Sequence, residues 1–190
     1  MLVVSGLPTL TDKLARAKSY SERMFQAELL DALNPPEDVL AFVRPFQAAG
    51  RLVDIAVVEA VRRDTGGYPF HVQFFGALLW EACSPSAPIT TADFVRHRPT
   101  ILRSLDGAFF DARLARTSGR ERRVLRAIAA GGENTSLQAV RERLNLPNRR
   151  MQPVIGGLET KGLLYRPERG RLAFTVPLFG DYLRRSGVAA

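Results

Sequence analysis

A chain of 190 residues has room for one or two small domains with buried cores. Its 46% apolar and 24% charged residues are the balance of an ordinary soluble globular protein. The net charge of +8 is unevenly placed: residues 1–115 hold 12 Lys/Arg against 13 Asp/Glu, residues 116–190 hold 15 against 6. The single cysteine, Cys83, excludes an internal disulfide and a cysteine-based zinc cluster, so a reducing, cytoplasmic setting is expected. No apolar run approaches the roughly 18 residues of a membrane helix, and the apolar start is too short for a signal peptide.

In chain order, Leu2 to Val4 reads as a buried strand that turns at Ser5-Gly6. Few strand partners follow, so residues 1–5 are expected to be poorly paired or to borrow a partner strand. Leu7-Pro8 through Ala17 reads as a short helix, and Phe25 to Leu30 as a strand or a helix end. Pro35-Pro36-Glu37-Asp38 is a helix start, with prolines and then carboxylates at the positive dipole end. That helix carries Val39, Leu40, Phe42 and Val43 and ends before Gly50. Asp54 to Arg63 predicts another, with Ile55, Val58 and Val61 on one face and Gly66-Gly67 as its stop. Tyr68-Pro69 opens an apolar helix through Cys83. Thr90-Thr91-Ala92-Asp93 caps a helix expected to run past Phe110.

The basic part has another rhythm. Thr117-Ser118-Gly119, Ser136 and Pro147-Asn148 each start a short helix. Leu163–Arg166 and Leu172–Thr175 then predict a hairpin turning at Glu168-Arg169-Gly170, and a last helix follows Pro177. Three short helices and a hairpin are the order of a winged helix-turn-helix. The expected fold is therefore mainly α, with a small β-hairpin, in three parts: 1–34, 35–115 and 116–190.

Several chemistries lack their residues. No G-x-x-x-x-G-K-[ST] occurs, and Gly-Lys is nowhere in the chain, so no phosphate cradle is encoded. No apolar strand ends in Asp-Glu to hold magnesium. His71 and His97 have no metal-ligand spacing, and His71 reads as a core or interface residue. No catalytic residue and no metal site are expected. Gly67-Tyr68-Pro69-Phe70 remains, where free N–H groups and the dipole of a helix start can face a phosphate or a base edge. The same residues also make a good helix start and nothing more.

Gly67-Tyr68-Pro69 resembles the Gly-x-Pro motif that opens a lid helix in STAND-type and origin-recognition-like AAA+ ATPases. The wider order fits that resemblance. Leu2-Val3-Val4-Ser5-Gly6 resembles the sensor-1 strand, and Ser21-Glu22-Arg23 resembles the site of an arginine finger. Residues 35–113 resemble the helical lid, and 117–186 the winged helix attached to it. The chain is also similar to bacterial ATP-binding proteins with a "GYP" lid and an "FTVP" segment, here Phe174-Thr175-Val176-Pro177. The resemblance implies Pro69 beside an adenine, Gly67 and Tyr68 around it, Ser5 as sensor-1 and Arg23 as finger. It also implies ATP or ADP as ligand, although the chain in isolation is expected to carry no cofactor. Hydrolysis needs the phosphate loop and magnesium, which these residues do not supply.

The winged part holds the nucleic-acid candidates. Asn148, Arg149, Arg150 and Gln152 are residue types that meet phosphates and base edges. Arg166, Arg169 and Arg171 lie on the hairpin and suit phosphates or a minor groove. Pro153 and Gly156-Gly157 are poor helix interior, so a regular helix starting only near Gln152 would leave the arginines in the preceding turn. Three roles stay open for this part: DNA binding, an intramolecular or protein-docking role, or passive structure. The partner alternatives are DNA, a protein carrying the phosphate-loop half, or a second copy of the chain. No membrane partner is expected.

Overall fold

The helices begin where proline and capping residues constrain the backbone. The computed structural model describes residues 3, 26, 28, 32–132 and 134–187. The helix expected at 7–17, Ser5 and Arg23 lie outside the described residues. Of the strand expected at Leu2–Val4 only Val3, and of the segment at 25–30 only Gln26 and Glu28, are described, all exposed and in no regular element. Ala32–Ala190 form one compact unit. Helix α1 (Glu37–Ala48) follows Pro36, and α2 (Ile55–Thr65) stops at Gly66, whose φ of 57° lies in the left-handed region. Helix α3 (Pro69–Ala82) starts on its own proline. Helix α4 (Thr91–Leu105) is closed by a capping box in which Thr90 and Asp93 satisfy each other's backbone N–H.

Between α2 and α3 the two glycines carry a tight turn. Gly67 has φ 71°, its carbonyl accepts from Leu33 N–H at 2.9 Å, and an added Cβ would stand 2.2 Å from Leu33 O. Both the left-handed backbone and the clash penalise any side chain there. Gly67→Ala is expected to cost at least about 1–3 kcal/mol, read as a lower midpoint in chemical denaturation.

Arg51 closes the other end of this block. It is buried, and its guanidinium donates to the carbonyls of Trp80, Ser84 and Ala87 at 3.2, 2.6 and 3.1 Å. A buried cation needs such partners, and here they are the last carbonyls of α3 and the loop after it. One residue of the predicted apolar face is not in the core. Ile55 is 72% exposed, while Val57, Val58 and Val61 are buried. As the first residue of α2, Ile55 has no preceding helical turn to shelter it.

Helix α4 continues through a π-helical turn (Asp106–Phe110) into α5 (Asp111–Ala115). That wider turn lets adjacent phenylalanines serve different neighbours. Phe109 stacks on Phe70 with centroids 4.8 Å apart. Phe110 packs on Phe179 and Tyr182 at 5.4 and 5.3 Å.

Helix α6 (Gly119–Ala129) opens with a second capping box, Ser118 with Glu121. Strand β1 (Thr135–Ser136), α7 (Leu137–Leu144), α8 (Asn148–Thr160), β2 (Leu164–Tyr165), β3 (Arg171–Phe174) and α9 (Phe179–Arg185) follow. The sheet order is β1-β3-β2, antiparallel throughout, with Thr135 opposite Leu172 and Leu164 opposite Phe174. The fold is thus mainly helical with a small antiparallel sheet, as expected. Strand β1 is an addition to the expected hairpin, since two residues show no alternation in sequence.

Helix α8 begins at Asn148 and keeps Pro153 inside it. The proline lacks the N–H that would meet the carbonyl of Arg149, itself an exposed residue. Arg149 and Arg150 therefore stand in the first turn of the helix itself. Met151, Ile155 and Leu158 turn to the core. Lys161 anchors the far end of α8 by donating to both Glu121 oxygens at 2.7 and 2.8 Å and to Arg116 O at 3.0 Å. Burial alone would raise the Glu121 pKa, but Lys161 and the Ser118 N–H and hydroxyl hold it below the usual carboxylate range. One cluster of buried apolar residues runs from Phe42 to Leu183.

Candidate nucleic-acid interface

The start of α8 combines a missing side-chain cap, which it shares with α1, α2 and α3, with a run of basic residues. Helices α4 and α6 have capping boxes, and α7 is capped by the Ser136 hydroxyl. Pro147, the residue before α8, gives no side-chain cap, and the first turn of α8 holds no acidic residue. Instead Asn148, Arg149 and Arg150 are all exposed there. Positive charge at the positive end of a helix dipole is unfavourable by about 0.3–1 kcal/mol per charge. An anion placed at this turn would meet the positive end of the helix dipole and two guanidiniums, reversing the sign of that interaction.

The other candidates divide by their partners. Gln152 donates to Asn148 Oδ1 at 3.0 Å and accepts from Arg166 at 3.1 Å. Arg166 also pairs with Glu159 at 2.6 Å. These four side chains form one hydrogen-bonded row from the start of α8 to the end of β2, and its charge is neutralised. Arg171 donates to the Asn134 carbonyl at 2.9 Å. Arg169, at the exposed turn of the hairpin, has no ion pair or side-chain hydrogen bond among the described residues, and neither do Arg149 and Arg150. The free positive charge of this face thus concentrates in Arg149, Arg150 and Arg169, with Arg171 held alongside by its backbone partner. Nothing near Arg171 in the sequence points to Asn134, 37 residues away.

A second candidate surface surrounds the start of α3. Pro69 and Phe70 are exposed, Tyr68 is half-buried, and Gly67 is buried under Leu33. Phe109 stacks on Phe70 and carries the Arg113 guanidinium 3.6 Å above its ring. Sequence reasoning missed Phe109 and Arg113, which the π turn brings to a helix start about 40 positions earlier. Pro69 and Phe70 thus present exposed apolar rings beside the Arg113 guanidinium.

Beneath this surface His71 is fully buried, and neither ring nitrogen has a hydrogen-bond partner. Tyr68, Phe109 and Phe110 enclose it. Burial, reinforced by the Arg113 charge, lowers its pKa to about 4. The native state therefore keeps it neutral where the unfolded chain, with an ordinary value of 6.5, is protonated. Stability is expected to fall as pH drops from about 6.5 to about 4. His71→Leu should flatten that slope in denaturation curves taken across this range, while a slope unchanged by the substitution would place its origin in other groups.

Cys83 is buried, and that burial raises its thiol pKa. Among the described residues no helix is long and apolar enough to cross a membrane. Also among them, no group of three His, Cys, Asp or Glu side chains stands close enough to hold a metal ion.

A family model described as a domain of unknown function (DUF8462) matches residues 107–183. That span runs from the π turn into α9. No curated protein matches the chain. Among solved structures, the Walker-type ATPase PABY2304 of Pyrococcus abyssi is similar over 80% of this chain, with a TM-score of 0.66 and 21% identity. The chain spans 42% of that protein's length. What is shared at this identity is the fold, and it is the fold of part of a Walker-type ATPase.

Proposed function

We propose that the described residues are the helical lid and winged helix of an AAA+/STAND-like ATPase, and that the winged helix binds DNA without sequence preference. The order α6-β1-α7-α8-β2-β3 is that of a winged helix-turn-helix, with α8 in the place of its recognition helix. The observation that carries the reading is the uncapped, arginine-led first turn of α8, with Arg169 on the neighbouring hairpin turn. Contacts of this kind go to phosphates, which position a protein on a duplex and are indifferent to sequence. The test is fluorescence anisotropy of the whole chain with several unrelated duplexes across a salt series. Affinity should fall steeply and equally for all of them as salt rises. Absence of binding at low salt would end the reading.

A second reading has the exposed faces of Pro69 and Phe70 as its motive. Here the lid docks on a protein that supplies a phosphate-loop half, and Gly67, Tyr68 and Pro69 border the base of an ATP or ADP held between them. The nucleotide supplies the reactive phosphate, and the part of this chain is to seat the base and exclude water from it. Co-purification with a phosphate-loop partner, and a melting point raised by ATP only in that complex, are its expected results. A chain that stays monomeric and gains no stability from ATP with the partner present would remove it.

A further inference from the structure

The exposed side of α6 carries a second run of arginines, separate from the face at the start of α8. Arg120, Arg123 and Arg126 recur every third residue, the first two exposed and Arg126 half-buried; half-buried Arg122 flanks them, and exposed Arg116 precedes the helix. Along the axis Arg120 to Arg126 covers about 9 Å. The one acidic residue of α6, Glu121, is buried in its pairing with Lys161 and does not interleave with them. Arg122 donates to Thr117 Oγ1 at 3.3 Å, and the other four make no side-chain hydrogen bond or ion pair among the described residues.

Elsewhere Arg62, Arg98, Arg166, Arg184 and Arg185 meet acids and several other arginines meet none. No separate stretch of eleven described residues, however, holds five arginines, as Arg116 to Arg126 does. A solvated helix face ordinarily interleaves both signs, since opposite charges three or four residues apart support each other. Four unpaired like charges within about three turns repel, and an anionic partner relieves that repulsion. In length the row, about 9 Å, spans about three of the ~3.4 Å phosphate steps of one strand.

The packing separates the two basic faces. Helices α6 and α8 meet through buried sides, Val124, Leu125 and Ile128 on one and Met151, Ile155 and Leu158 on the other. Their exposed sides point away from that shared core. The contact between Glu121 and Lys161 joins the start of α6 to the far end of α8, about 20 Å along the axis from Arg149. One straight duplex seated on the first turn of α8 does not also lie along α6.

We infer that the arginine row of α6 is a second phosphate-backbone contact, so that one chain holds two duplex segments, one on each side of its C-terminal part. The inference rests on the DNA-binding reading above and adds a partner to it. A duplex of about 12 base pairs, too short to wrap from one face to the other, is the probe. Given in excess at low salt to the full chain, it should bind at two per chain by sedimentation. It should also bring two differently labelled duplexes together in an energy-transfer assay.

R120A/R123A should still bind one duplex, with the second binding step weakened about tenfold or more. R123E is the second variant, and circular dichroism should show native melting for both. Wild-type binding that saturates at one duplex overturns the inference and turns the search to an acidic protein surface. Two duplexes retained by R120A/R123A overturn it as well. No binding of any duplex instead removes the DNA reading itself.

Discussion

Replacing Phe110 by alanine is expected to cost about 3–5 kcal/mol of folding stability. Phe110 is fully buried at the π turn. Its ring meets His71 and Phe109 on one side and Phe179 and Tyr182 on the other. Truncation removes dispersion contacts with α3 and α9 together and leaves a cavity that both helices must collapse to fill. Their freedom to do so is small. Tyr182 is tied by its hydroxyl to Asp111 at 2.6 Å, and Arg185 is paired with Asp106 at 2.7 Å. For a chain of this length the loss corresponds to roughly 6–20 °C in Tm. Phe110→Leu should recover part of it. A loss below about 1 kcal/mol would mean that the two helical blocks are held together by other contacts.

The double variant R149A/R150A is expected to weaken every duplex alike. If each arginine neutralises one phosphate, the slope of log affinity on log salt falls in magnitude by about 1 per arginine. Taking 1 M salt as the point where the electrostatic contribution vanishes, that amounts to about 30-fold at 0.15 M. The same variant is expected to be slightly more stable, because removing positive charge from the first turn of α8 relieves about 0.3–1 kcal/mol per arginine. Weaker binding with unchanged or higher stability separates lost contact from lost fold. Arg166→Ala is the internal comparison. Its charge is already matched by Glu159, so its effect on the salt slope should be the smaller one.

The helix starts were legible in the sequence because their causes are local. A proline fixes its own φ, and Thr90, Ser118 and Ser136 cap groups only three residues away. The concentration of arginine after residue 116 was equally plain, and so were the exposed residues at the start of α8 and at the hairpin turn. Gly67 was visible as a turn residue, but the clash that demands glycine comes from Leu33, 34 positions earlier.

What only the tertiary structure decided is which charges are free. Arg149, Arg166, Arg169 and Arg171 read alike in the chain. Packing gives Arg166 a carboxylate, gives Arg171 a carbonyl from β1's approach, and leaves the other two unpaired. It likewise exposes Ile55, opens the π turn at Phe110 and buries His71 without a partner. The physical reason is range. Dihedral limits and caps act within one turn of backbone, whereas an ion pair, a burial or a stacked ring needs a partner that folding brings from tens of residues away.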